Sequence, residues 1–94
     1  MLLTTLSTAS TVQADLASYR YIHIELWSGG SGSVRDTVIY PVSAIKNEVR
    51  FNLGNARLES YIFADIYLTL SSVQLAFKDN AGWSWGSVKV YGIH

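Results

Sequence analysis

Apolar and polar positions alternate with a two-residue period along most of this chain. In residues 19–27, "YRYIHIELW", Arg20, Ile22, Ile24 and Leu26 project to one side, and Tyr19, Tyr21, His23, Glu25 and Trp27 to the other. The aliphatic set is read as the inward one. "RDTVIYP" predicts a second strand that stops at Pro41, because proline has no N–H to give to a ladder. In "NEVRFNLGN", Val49, Phe51 and Leu53 are in phase against Glu48, Arg50 and Asn52, and Gly54-Asn55 are read as the turn that follows.

The stretch "RLESYIFADIYLTL" contains Leu, Glu and Ala, which favour helix. Its strict alternation decides for a long strand: Leu58, Ser60, Ile62, Ala64, Ile66, Leu68 and Leu70 face one way, and Glu59, Tyr61, Phe63, Asp65, Tyr67 and Thr69 the other, with a bulge expected near Ala64 or Asp65. "SVQLAFKDNAGWSWGSVKVYGI" reads as a hairpin, with Val73, Leu75 and Phe77 outbound, Asp79 to Gly82 turning, and Val88 and Val90 returning. "LLTTLS" and "STVQA" add one or two short strands, and "SGGSGS" (28–33) is a loop. The prediction is an all-β chain of about seven or eight strands, forming one antiparallel β-sandwich or jelly-roll-like domain over residues 1–94.

Composition narrows the possible partners. Seven basic residues balance seven acidic ones without a basic run, which argues against nucleic acid. Charged residues make up 15% of the chain, well below the average of about 25%. Thr, Ser, Tyr and Asn stand in their place, so part of the surface is expected to be covered by a partner. There is no cysteine, hence neither a disulfide framework nor a thiolate metal site. The opening "MLLTTLSTASTVQA" lacks a positive n-region and is read as mature sequence rather than a signal peptide, and no apolar run is long enough to insert in a membrane.

Catalytic signatures are lacking. His23 and His94 are the only side chains whose ordinary titration lies near neutrality, and there is no nucleophile elbow or paired-carboxylate context. "SGGSGS" lacks the lysine and the following helix of a phosphate cradle. His23 between Tyr21 and Glu25 reads as a hydrogen-bonded surface or interface histidine more readily than as a metal ligand, and Glu25, Glu59 and Asp65 have no spacing that specifies a cation. The chain is expected to be non-enzymatic, without cofactor or metal.

The aromatic residues are more informative. Trp83 and Trp85, at i and i+2 beyond the turn, would place both rings on one side of an extended segment. Either they form a platform for the apolar face of a sugar, with Trp27 near the glycine loop, or they anchor a core or subunit interface. Tyr61, Phe63 and Tyr67 oppose the aliphatic face of their strand, and a strand apolar on both faces needs cover on both. These three and Tyr91 are therefore the expected contacts between copies of the chain.

The order of "TLSTASTVQADLASYRYIHIEL", "TVIYPVSAI" and the closing "WGSVKVYGIH" resembles the carboxy-terminal tip domains of bacteriophage tail fibres and tail spikes. That resemblance implies a virion appendage domain, usually a homotrimer, attaching to a bacterial surface glycan or protein receptor. Two alternatives stay open: a trimerisation or capping module that binds no receptor, and a free-standing lectin-like carbohydrate-binding domain.

Overall fold

The computed structural model describes residues 1–30 and 32–94, and the glycine loop predicted over 28–33 falls partly outside them at position 31. Among the described residues there are eight strands: β1 (Leu2–Leu6), β2 (Ser10–Gln13), β3 (Tyr21–Ser28), β4 (Val34–Pro41), β5 (Val49–Arg57), β6 (Ser60–Leu68), β7 (Ser72–Ala81) and β8 (Trp85–Ile93). A single 3₁₀ turn, Val42–Ala44, follows β4. No helix among the described residues is long and apolar enough to cross a membrane. The strands make two antiparallel four-stranded sheets, ordered β1-β8-β3-β4 and β2-β7-β6-β5, as the alternation predicted.

The inner faces are the aliphatic sets. Ile22, Ile24 and Leu26 of β3, Val88 and Val90 of β8, Ile62, Ile66 and Leu68 of β6, and Val73 and Leu75 of β7 are fully buried against one another. Each such side chain contributes about 1.5–3 kcal/mol by leaving water. The two ends of the sandwich close differently. Where β3 begins and β8 ends, Leu16, Val42 and Ile45 enter from the loops as aliphatic plugs. At the opposite pole, where β3 ends and β8 begins, Trp83 and Trp85 pack on the core from the side.

β8 lies between β1 and β3 and bonds to both. The aromatic carboxyl-terminal segment is thus a central strand, which explains why it does not fray. Its entry needs a glycine: the β3–β8 register shifts between Trp27 and Ser28, leaving Gly86 as the extra residue. A Cβ there would stand 2.6 Å from the Trp27 carbonyl oxygen and 2.7 Å from the Ser28 carbonyl carbon.

One long side of the sandwich is stitched between the sheets. β4 and β5 are edge strands of different sheets. The Gly54 N–H of β5 donates to Asp36 Oδ2 of β4 at 2.8 Å, and Asn55 Nδ2 donates to the Arg35 carbonyl at 3.1 Å. Each edge thereby has a backbone group satisfied by a side chain of the other, which blunts it as a template for further strands.

Three expectations are corrected. Gly54 and Asn55 are not a turn; β5 runs through them to Arg57, and the hairpin closes at Leu58-Glu59, with Arg57 paired to Ser60. Glycine is needed at position 54 because the Phe63 ring lies across it, a Cβ there falling 2.0 Å from Phe63 Cδ1. The long strand begins at Ser60 and ends at Leu68, leaving Leu58 and Leu70 exposed. β7 and β8 do not form a hairpin. They belong to different sheets, and the chain crosses between them through Gly82, whose φ of 78° only glycine adopts without strain. The expected irregularity at Asp65 is present, but the inserted residue is Ala76 on the facing strand, which turns Phe77 outward.

Gly86→Ala is expected to destabilise the domain by about 1–3 kcal/mol, since backbone, not a movable side chain, occupies the space the methyl needs. Asp36→Ala should cost about 1.5–3 kcal/mol by removing a charged acceptor from an edge N–H. Urea unfolding with an unchanged slope checks both.

Candidate binding surfaces

The three tryptophans do not form a shared platform. The chain bends at Trp83 before β8 begins, and the two indoles reach opposite edge strands of the β1-β8-β3-β4 sheet, Trp83 at Arg35 of β4 and Trp85 at Ser7 just beyond β1. The Trp83 ring is capped by the Arg35 guanidinium at 4.3 Å. Trp85 sends its indole N–H to the Ser7 carbonyl at 2.8 Å and carries Lys78 over its ring at 4.9 Å. Trp27 lies on the outer face of β3, with its N–H to Glu25 Oε1 at 3.2 Å and Lys89 over its ring at 4.2 Å. All three indoles therefore have a cation on one face, a contact worth about 0.5–1 kcal/mol at exposed sites. A cleft of about 240 Å³ beside Trp83 is lined also by Ser28, Gly30, Arg35, Gly82 and Ser84.

The expected interface residues divide between two faces. Tyr61, Phe63 and Tyr67 share the outer face of β6, and Tyr91 lies on the outer face of the other sheet, so no single flat contact includes all four. On the β6 face the rings of Tyr61 and Phe63 stack at 5.4 Å. Phe77 pairs directly with Asp65 and is thus a diagonal neighbour of Phe63; the two are 56% and 41% exposed. The alternation of Val73, Leu75 and Phe77 along the sequence would put all three on one side of their strand. The bulge itself was the signal, because one inserted residue reverses the phase of everything beyond it.

Five polar side chains on this face are partnered with one another. Asp65 accepts from Arg50 Nη2 at 2.8 Å and from Asn52 Nδ2 at 2.5 Å, and the Tyr61 hydroxyl donates to Asp79 Oδ2 at 3.1 Å. The hydrogen bond to Asp79, followed by that carboxylate's charge, raises the Tyr61 pKa above its ordinary value.

On the opposite face a polar row crosses the centre, Thr5, Lys89, Glu25 and Thr37 being register partners. Next to it, Leu2, Tyr91, His23 and Ile39 form an apolar and aromatic row. The Thr37 hydroxyl lies within hydrogen-bond distance of the Ile24 carbonyl, at 3.0 Å, and of His23 Nε2, at 2.5 Å. His23 Nε2 also lies 4.0 Å from Glu25 Oε2. Partial desolvation, then a hydrogen bond to Glu25, raises the Tyr91 pKa. Among the described residues no three His, Cys, Asp or Glu side chains are grouped so as to hold a metal ion.

A second cleft has no counterpart in the sequence pattern. It measures about 610 Å³, sits at the pole closed by Leu16, Val42 and Ile45, and is lined by residues 19–21 and 41–43. Comparison with protein families, with curated proteins and with solved structures gives no match for this chain.

Folding favours the neutral form of Tyr61 and of Tyr91, so the stability tied to them is intact below pH 10.0 and is lost as pH rises through their higher folded values. An ultraviolet tyrosinate titration should show both ionising late. Asp79→Asn should bring Tyr61 down and leave Tyr91 unchanged.

Proposed function

We propose that this chain is a non-catalytic attachment domain of a bacteriophage tail appendage, working as a homotrimer that binds a bacterial surface glycan or protein. The virion assignment and the number three come from the resemblance to tail-fibre and tail-spike tips. The observation that carries the self-associating part is the exposed aromatic patch of Tyr61, Phe63 and Phe77 on β6 and β7. Its cover in this reading is a second copy of the chain. Within the face Arg50 is paired with Asp65, and Asp79 accepts from the Tyr61 hydroxyl without a cation beside it, so a neighbour covering the rings must leave that carboxylate at its wet rim. A low charge content points the same way.

The capping of all three indoles by Arg35, Lys78 and Lys89 favours a second reading, an assembly or capping module whose tryptophans are structural and bind no glycan. Adsorption separates the two. In the attachment reading the native assembly binds host cells or a glycan array; in the second it binds neither.

Sedimentation equilibrium at micromolar concentration should give three times the 10.4 kDa chain mass. Phe63→Ser combined with Phe77→Ser should give a folded monomer, both rings being outside the core. A stable wild-type monomer would remove the reading.

A further inference from the structure

Three surfaces compete as ligand sites. The Trp83 cleft has one ring face covered by Arg35, and on the β6 face Arg50 is tied to Asp65 and Tyr61 to Asp79. The cleft at the other pole differs from both. It is formed where the start of β3 runs beside the end of β4, tied by the Val42 N–H to the Arg20 carbonyl at 2.9 Å. Two tyrosines, Tyr19 and Tyr21, flank Arg20 on one wall, and Pro41 and Ser43 make the other. Arg20 is exposed, and no carboxylate lies within ion-pair distance of it among the described residues.

The walls are held in place. Tyr19 rests on the backbone of Gly92, where a Cβ would come within 2.5 Å of its ring, and its hydroxyl donates to Met1 Sδ at 2.9 Å. His94 lies tilted against the same ring at 4.8 Å. Tyr21 stands between Ile93 and Pro41 in the sheet and is 42% exposed. The result is a concave site with a fixed ring, an accessible ring, a hydroxyl at Ser43 and an arginine without a counter-charge.

We propose that this cleft binds a carboxylate-bearing pyranose of a surface glycan, Arg20 taking the carboxylate and Tyr21 the apolar face of the ring. The planar guanidinium fork matches a carboxylate with two parallel hydrogen bonds, which a neutral sugar cannot use. An aromatic ring offers an apolar surface to the C–H face of the sugar, and Ser43 Oγ can serve a ring hydroxyl. The inference deepens the attachment reading above and rests on it for its biological sense. Its test is independent, since binding at the cleft and the mass of the assembly are read separately.

The experiment is a titration of the isotopically labelled chain with glucuronic acid, followed by amide chemical shifts, with glucose and inorganic phosphate as parallel probes. Glucuronic acid should move the amides of Arg20, Tyr21, Val42 and Ser43 with a millimolar dissociation constant, and glucose should bind about tenfold more weakly or worse. Arg20→Gln should abolish the preference for the acid, and Tyr21→Ala should weaken binding of the acid, with the remaining spectrum unchanged. Equal binding of glucose, equal binding of phosphate, shifts centred elsewhere, no shifts at all, or a preference retained by Arg20→Gln would each overturn the proposal.

Discussion

The interior of this sandwich is filled by aliphatic side chains, and that filling shapes everything outside it. Every fully buried large side chain is Leu, Ile or Val, while the three tryptophans, six tyrosines and three phenylalanines are all partly or largely exposed. With the space between the sheets already close-packed by branched aliphatic side chains, a ring added there would overpack it. The rings therefore go to the outer faces, to the two poles, and to the β4–β5 side, where Tyr40 and Phe51 meet edge to face at 5.1 Å. Apolar surface displaced from the core becomes the surface that the protein presents.

Where each ring settles decides what it can do. The indoles at one pole are needed as plugs, and the cations over them complete a local structure with little left to offer. The rings on β6 and β7 stabilise no core and remain accessible, which is what makes self-association the better reading of that face. Tyr19 and Tyr21 lie between these cases: one is clamped by Gly92, and the other stands free beside an arginine. The three surfaces are thus separated both by position and by how much of their interaction capacity the fold already uses.

Legibility in the sequence followed the same division. Strands β3, β4 and β5 and the inward face of β6 were readable because strict alternation survives wherever one face meets the aliphatic interior. Errors arose where glycine had two possible meanings. Gly54 accommodates a ring and Gly86 a neighbouring backbone, whereas Gly82, with its positive φ, bends the path as a turn glycine does. The actual turn at Leu58-Glu59 contains none of the usual turn residues and so gave no signal. Phe77 was misplaced because a single inserted residue reverses the phase downstream, and the Tyr19–Ser43 cleft was invisible because it joins segments twenty residues apart.

The pairing of first strand with last has a mechanical meaning. Leu2 sits opposite Tyr91, and Met1 and Gly92 exchange hydrogen bonds, so the two ends emerge side by side from one pole. Tension pulling those ends apart would load the β1–β8 ladder one rung at a time, peeling it open instead of shearing all its bonds together. A fold arranged this way withstands pushing or torque on its body far better than being stretched between its termini.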